Sequence, residues 1–314
     1  MSALRVVSLL PSATEIVAAL GLADALVGRS HECDFPPGVE ALPVLTAPGL
    51  DPGGTSREIH QAVTRLMAEA VSVYRVDGVG LAALAPTHVV TQVHCEVCAV
   101  SLADVRRATE DWPAAVGEPP RIVALGASSL EEVYADFRRV GEALGVRERA
   151  ATLEAEVRGR IGRVAERVSR TSSRPRIAAI EWLDPLMAAG NWIPEMIAAA
   201  GGESIFGKPG DHSSWLDPDS LLGADPDVVV VFPCGFPLER SLAEAVTLGS
   251  LPGFSKTAAC RAGAVFAADG NRLFNRPGPR LAESVEVLAE ILHPDLFAPT
   301  GKGVSWDAVS LDRP

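Results

Sequence analysis

Lysine is nearly missing from this 314-residue chain: Lys208, Lys256 and Lys302 are its only lysines among 28 basic residues, against 40 acidic ones and a net charge of -12. Without a polybasic surface to neutralise phosphates, nucleic acid is excluded as an expected partner. Cysteine is scarce as well, five residues, an odd and unevenly spaced set. That excludes the disulfide framework of a small secreted domain and fits a reducing compartment. Aromatics make up 5%, so the core has to be built from Ala, Val and Leu. No stretch reaches the roughly 18 uninterrupted apolar residues of a membrane-spanning helix; the run Met196 to Ala200 stops at Gly201-Gly202. The run Val6 to Leu10 is stopped by Pro11, with Glu15 close behind, and is too short for the apolar region of a signal peptide. The expectation is a cytoplasmic protein, monomeric and without membrane insertion, or a periplasmic or extracellular one if the true start lies upstream. Serine-nucleophile elbow, Walker loop, H-E-x-x-H and a Gly-rich dinucleotide turn are all missing too, and no enzyme is expected.

What is present is alternation. Short β-branched runs at Arg5-Leu10, His88-Gln92, Ile122-Leu125, Ile177-Glu181, Asp227-Phe232 and Ala264-Ala267 alternate with helical patterns. The helical patterns fall at Ser12-Leu20, Thr55-Tyr74, Ser101-Arg107, Leu130-Leu144, Trp192-Ala200, Asp217-Leu222, Glu239-Val246 and Pro279-Leu292. Strand-helix alternation predicts parallel sheets with helical crossovers. From Arg147 to about Thr171 the chain has no Pro and places Leu153, Val157, Ile161, Val164 and Val168 on one face. That is one amphipathic helix, on the order of 35 Å long. The expected fold is α/β, two Rossmann-like lobes with parallel sheets joined by this long helix. The expected division is residues 1–146, the connecting helix 147–171, a second lobe 172–294 and a tail 295–314.

The halves resemble each other, which suggests an internal duplication. Arg5-Val6-Val7-Ser8 and the following helix parallel Arg176-Ile177-Ala178-Ala179 and its helix. Leu81 to Pro86 and Val89-Val90 parallel Leu221 to Pro226 and Val229-Val230.

Ligands of open α/β sheets bind beyond the carboxyl ends of the strands, and the unusual residues cluster there. Pro11, Ser12 and Thr14 follow the first strand, Trp182 its counterpart, and Gln92, His94, Cys95, Glu96 and Cys98 a third. Cys234, Gly235 and Phe236 follow a fourth. With His31 and Cys33, in a loop closed by Pro36-Pro37, the residues His94, Cys95, Cys98 and Cys234 form a set of soft donors suited to Zn, Fe or Co, to which His212 can be added. Cys95 and Cys98 are the single C-x-x-C, which also fits a thioredoxin-like dithiol opening the Ser101 helix. Cys260 fits the core; His60, His88 and His293 fit structural or solvated places. Trp182, Trp215 and Phe236 offer flat faces for a large planar ligand, while Trp192, opening an apolar helix, fits the core. Asn275 and Arg276 lie in a polar loop, where Arg276 either meets a carboxylate or amide or caps a helix.

Several of these segments, Val7 to Glu15, Gly28 to Asp34, Gly210-Asp211-His212-Ser213-Ser214, Asp225 to Val229 and Asn275 to Arg280, together resemble the cobalamin-binding substrate-binding proteins of ABC importers. The resemblance runs from residue 5 to about 294. It implies a non-catalytic binding protein that holds a cobalamin-like corrinoid between two lobes, with Pro11, Ser12, Thr14, Trp182, Ser214 and Trp215 lining the cleft and Cys or His available to cobalt. It implies an ABC permease as partner if the chain is exported, for which Glu96 and Glu239 are the candidate docking acids, and a storing, sensing or handing-over role if it is cytosolic. Relatives of this kind bind corrinoids, haem, siderophores or metal ions. The alternative is a cytosolic Zn, Fe or Co site, or a redox site, built from His31, Cys33, His94, Cys95, Cys98 and Cys234.

Overall fold

Four consecutive valines, Val228–Val231, are buried on both faces, which a strand tolerates only when neighbours flank it and helices cover it. The structure, a computed structural model, describes residues 3–69, 71–94 and 99–311. Packing divides the chain into two units: Met1–Gly54, Glu58–Ala127 and Glu131–Ala155 in the first, Thr55–Arg57, Ser128–Leu130 and Glu156–Pro314 in the second.

The first unit contains strands β1 (Val6–Ser8), β2 (Leu26–Arg29), β3 (Thr46–Pro48), β4 (Tyr74–Val76), β5 (His88–Gln92) and β6 (Arg121–Leu125). Its helices are α1 (Pro11–Ala19), α2 (Ser56–Ala68), α3 (Gly78–Ala83), α4 (Leu102–Glu110) and α5 (Leu130–Ala143). The main sheet runs β2-β1-β5-β6, all parallel, and β3 pairs antiparallel with β4. Val7, Leu9, Val89, Leu81 and Val105 meet in its core.

Helix α6 (Arg147–Val168, 22 residues) begins in the first unit and ends in the second. Its Ala150, Leu153, Val157, Ile161, Val164 and Val168 are buried, at spacings of three and four residues. That stripe is the one read from the sequence, and each such side chain contributes on the order of 1.5–3 kcal/mol by leaving water.

The second unit contains β7 (Arg176–Leu183), β8 (Leu186–Ala188), β9 (Glu203–Ser204), β10 (Ser214–Trp215), β11 (Val228–Val231), β12 (Val265–Ala268) and β13 (Trp306–Ala308). Its helices are α7 (Ile193–Ala199), α8 (Pro218–Ala224), α9 (Leu238–Ala245), α10 (Ala258–Ala262) and α11 (Leu281–Leu292). The sheet order is β10-β8-β7-β11-β12-β13, with β9 on β7. Its centre, β7-β11-β12, is parallel, and β8, β10 and β13 are antiparallel additions. This sheet is therefore mixed where the sequence suggested a parallel one. Residues 306–308, in the segment expected as a tail, form its edge strand, fixed by Glu290, which accepts from Trp306 Nε1 at 2.8 Å and Gly301 N at 2.9 Å.

One helix overran in the sequence reading. The pattern Thr55-Tyr74 is helical only to Ala68, and Tyr74 already belongs to β4. A three-residue strand is too short to show a period of two, and β4 exists because β3 pairs with it.

The likeness of the halves is visible in the strand register and the hydrogen bonds. Val7 pairs with Val89 and Ser8 with Val90 in the first unit; Ala178 pairs with Val229 and Ala179 with Val230 in the second. In each, the helix before the second strand ends on a left-handed residue, Ala85 (φ 41°) or Asp225 (φ 43°), followed by a proline that stops it. In each, the arginine that opens the first strand donates to the last carbonyls of that helix. Arg5 Nη2 reaches Leu84 O at 2.7 Å, and Arg176 Nη1 reaches Ala224 O at 3.0 Å.

Candidate functional site

At the carboxyl end of β1 the chain turns straight into α1, with Pro11 at the first helical position, where its missing N–H costs nothing. Thr14 donates to Ser8 Oγ at 2.8 Å and lies 3.0 Å from Cys33 Sγ. Ser12, Thr14 and Cys33 are buried, while Pro11 is partly exposed. The Cys33 thiol therefore anchors its loop to α1. Arg29 shapes the same loop, its Nη1 donating to Ser30 O at 3.0 Å and Cys33 O at 3.2 Å and its Nη2 to Glu40 O at 3.0 Å.

His31 stands in that loop beside a buried hydroxyl. Its amide donates to Thr46 Oγ1 at 3.0 Å, and its Nδ1 shares a hydrogen bond of 2.7 Å with the same oxygen, in a direction set by the ring tautomer. Burial, and then the nearby Arg29 charge, push the His31 pKa below its ordinary value. The shift favours the neutral ring, which packs 5.7 Å from Tyr74.

Among the described residues no three His, Cys, Asp or Glu side chains gather to hold a metal ion. His31, Cys33, His94 and Cys234 therefore do not form such a group with the other described residues, and the Zn, Fe or Co set of six also draws on residues not described. Cys95 and Cys98, with the dithiol reading and Glu96, lie outside the described residues. His293 is buried with its Nε2 3.3 Å from Gly201 O, and Cys260 packs against the second core, both structural as expected.

The second unit presents more open chemistry. Ile180 opposes Ala188 and Trp182 opposes Met187, so β7 carries one extra residue, Glu181, in a β-bulge. Bulges of this kind re-aim side chains and occur next to functional sites. Ser213 donates to Glu181 Oε2 at 2.8 Å and accepts from Gly190 N at 3.1 Å. Burial pushes the Glu181 pKa up, opposed by the Ser213 hydrogen bond and by His212.

Next to Glu181, Trp182 donates from Nε1 to Ser56 O at 3.2 Å and packs 5.4 Å from the Phe236 ring. The Arg240 guanidinium lies 3.5 Å over the centre of that ring, a stacked cation on a π face. Phe236 itself is buried, whereas Trp215 on β10 is 60% exposed. Trp192 is buried and donates to Phe274 O at 2.7 Å, the core role expected of it.

The loop after β11 and the loop after β12 interlock. Asn275 spends both amide protons on Phe232 O at 3.0 Å and Gly270 O at 2.9 Å. Arg276, 6% exposed, donates to Asn271 Oδ1 at 2.9 Å. Both residues build the rim rather than extend from it. Cys234 is partly exposed, its N–H on Glu181 O at 3.3 Å. Ser214 and Glu239 are exposed. Glu181 and Ser213 escaped the choice of site residues. The signal was an acid closing an otherwise apolar strand, Ile177 to Trp182.

Two α/β units joined through one long helix, with strand ends carrying aromatics and polar loops, are the layout of a solute-binding protein. Residues 81–271, more than half of the chain, match the family described as periplasmic binding protein, and the chain belongs to that family. It is 28% identical to a cobalamin-binding protein of Halobacterium salinarum over 92% of this chain and 69% of that one. Among solved structures, the periplasmic heme-binding protein RhuT of Roseiflexus, in apo form, is similar at 25% identity and a TM-score of 0.66, over 93% of this chain and 99% of that one. The periplasmic vitamin B12 binding protein BtuF of Vibrio cholerae shares the fold at 18% identity and a TM-score of 0.64, covering 92% and 96%.

Proposed function

We propose that this protein is the non-catalytic solute-binding component of an ABC importer and that its ligand is a cobalamin-like corrinoid. The observation that carries the ligand is the aromatic and carboxyl group at the end of β7: Trp182 against Phe236, Arg240 over Phe236, and Glu181 beside them. A corrin is a large partly apolar ring with polar amide edges, and it suits flat aromatics flanked by neutral or acceptor groups. The similarity to a cobalamin-binding protein over 92% of this chain supports the same ligand. Haem is less well served. Tyr134 and Tyr74 are the only tyrosines, Tyr134 is buried in the core and Tyr74 packs against His31.

The Zn or Fe reading gains no support from this geometry. The partner of such a component is a membrane permease, which it meets outside the cytoplasm. The periplasmic neighbours fit that placement better than the cytoplasmic one expected from composition.

The test is a spectroscopic titration of the purified chain with hydroxocobalamin, followed by removal of unbound ligand, with haemin in parallel and metal analysis of the unloaded protein. A retained corrinoid band at one equivalent supports the proposal. Retention of haemin alone, or stoichiometric Zn or Fe with no corrinoid, refutes it.

A further inference from the structure

Glu181 has a carboxyl group of which only one oxygen is used inside the second unit. Ser213 Oγ accepts the Gly190 N–H at 3.1 Å, so its own proton goes to Glu181 Oε2 at 2.8 Å. An amide N–H can only donate, and an ionised carboxylate has no proton to give, so toward the carboxylate form the Ser213 hydroxyl is the donor. The arrangement depends on Gly190: a Cβ there would lie 2.5 Å from Asp211 O and 2.7 Å from Ser213 N, so only glycine lets the loop carrying Ser213 come this close. The other carboxyl oxygen has no hydrogen-bond partner among the described residues, and no Lys or Arg among them pairs with the group. A mostly buried acid with the exposed His212 as its charge partner and no Lys or Arg still costs free energy and calls for a compensating partner. The bulge at Glu181 turns it out of the regular strand at the carboxyl end of a central parallel strand, beside Trp182 and Cys234, where α/β units receive ligands.

We infer that Glu181 is a specificity-determining residue whose open carboxyl oxygen accepts an N–H from a peripheral amide of the ligand, favouring amide-edged corrinoids over carboxylate-edged tetrapyrroles. This rests on the corrinoid reading above. The periphery of a corrinoid carries primary amides, which have N–H to offer. Haem carries propionates, which have none and place a second negative group against the first. Ser213 is the positioning residue: by holding Oε2 as an acceptor it leaves the second oxygen for the ligand.

Glu181→Gln inverts this arrangement without changing its size. With the glutamine carbonyl in the inner place, accepting the Ser213 proton as the carboxylate does, its NH2 faces the ligand. An acceptor becomes a donor.

The experiment titrates the full chain with hydroxocobalamin, with its monocarboxylic derivatives (one peripheral amide hydrolysed) and with haemin, using absorption and a thermal melt of each variant. For the parent chain, at least one monocarboxylic derivative is expected to bind about tenfold more weakly than hydroxocobalamin, the usual worth of a hydrogen bond to a charged group. In Glu181→Gln the order should reverse, with hydroxocobalamin about tenfold weaker and that derivative tighter. Adding Ser213→Ala to Glu181→Gln frees the amide to rotate and should restore hydroxocobalamin affinity to within about threefold of the parent. If Glu181→Gln melts like the parent and binds all three ligands within twofold of it, the assignment of Glu181 is overturned while the corrinoid reading stands. A lack of recovery in the double variant overturns the donor role of Ser213. A parent chain that retains no hydroxocobalamin overturns both readings.

Discussion

Thr14 and Cys33, beside the carboxyl end of the first unit's β1, expose 0% and 1% of their surface, whereas in the second unit Trp215 exposes 60% and Glu181 keeps an oxygen without a partner. Behind these ends the scaffolds agree in detail, down to the register of paired valines and the arginine that closes the preceding helix. One strand-helix plan has thus been finished in two ways. At the end of β1 the Ser8, Thr14 and Cys33 groups satisfy one another, although Arg29 Nε and Trp112 Nε1 elsewhere in that unit are buried without a partner, while at the end of β7 a carboxyl oxygen of Glu181 is left for something else. Stability pressure alone produces the first outcome, since an unpaired buried polar group costs on the order of 1–3 kcal/mol. The second outcome is therefore the better indicator of binding.

The tightest point of the second unit's end gives the largest expected effect. A Cβ on Gly270 would lie 2.1 Å from Pro233 O and 2.7 Å from Phe232 O, both backbone atoms. At Gly28 in the first unit the nearest atoms, Leu84 Cδ1 at 2.7 Å and Leu45 Cδ1 at 2.8 Å, are the ends of side chains that can turn. Gly270→Ala should lower stability by about 3 kcal/mol or more and Gly28→Ala by about 1 kcal/mol, read from urea unfolding. Equal losses would mean that the interlocked loops of the second unit are no more rigid than the first unit's sheet.

A second comparison uses a buried acid that the first unit does satisfy. Asp136 accepts from Gly126 N and Ala127 N, both at 3.2 Å, and pairs with Arg139. Burial still pushes its pKa up from the usual 3.8 to about 6, against the pull of Arg139 and the two amides. A pKa raised in the folded state means that folding favours the protonated form. That contribution is fully present below about 3.8 and is lost as pH rises through about 6, a difference on the order of 3 kcal/mol. Asp136→Asn removes the titration, so the stability of the parent relative to the variant should fall by up to that amount between acid and neutral pH, followed by urea unfolding across the range. A pH-independent difference would show that the carboxylate is better solvated than its burial indicates.

Much of this plan was legible in the sequence. The strand His88–Gln92 was read at its own bounds, and the stripe Leu153, Val157, Ile161, Val164 and Val168 placed the connecting helix within three residues of its end at Val168. Such elements carry their own periodicity. The strands Leu186–Ala188, Ser214–Trp215 and Trp306–Ala308 were missed because two or three residues hold no period and exist only through a partner strand. The same reason hid Glu181: its bulge is created by pairing with β8, which no local pattern announces. Trp182 and Phe236 were found because aromatics are rare here and stand at strand ends. Thr14 and Cys33 were chosen on the same grounds, and local sequence does not tell a group facing a ligand from one sealed by its neighbours. His31 was chosen as a soft donor, and the hydroxyl that shares a hydrogen bond with its Nδ1 belongs to Thr46, fifteen residues further along the chain.

The smallest expected effect tests whether the shared scaffold is as equal as its geometry. Arg5 donates from Nε and Nη2 to Leu84 O at 3.0 and 2.7 Å, and Arg176 from Nη1 to Ala224 O at 3.0 Å and Asp225 O at 3.3 Å. Both side chains are partly exposed, so water replaces part of what a substitution removes and each is expected to be worth about 1 kcal/mol. Arg5→Ala and Arg176→Ala should each cost that much in urea unfolding and leave hydroxocobalamin affinity within twofold, because the clamps sit at the amino ends of their strands, opposite the carboxyl ends where α/β sheets receive ligands. A loss of affinity from Arg176→Ala but not from Arg5→Ala would show that the frame of the second unit transmits strain to its open end. The shared arginines would then belong to the difference between the units rather than to their likeness.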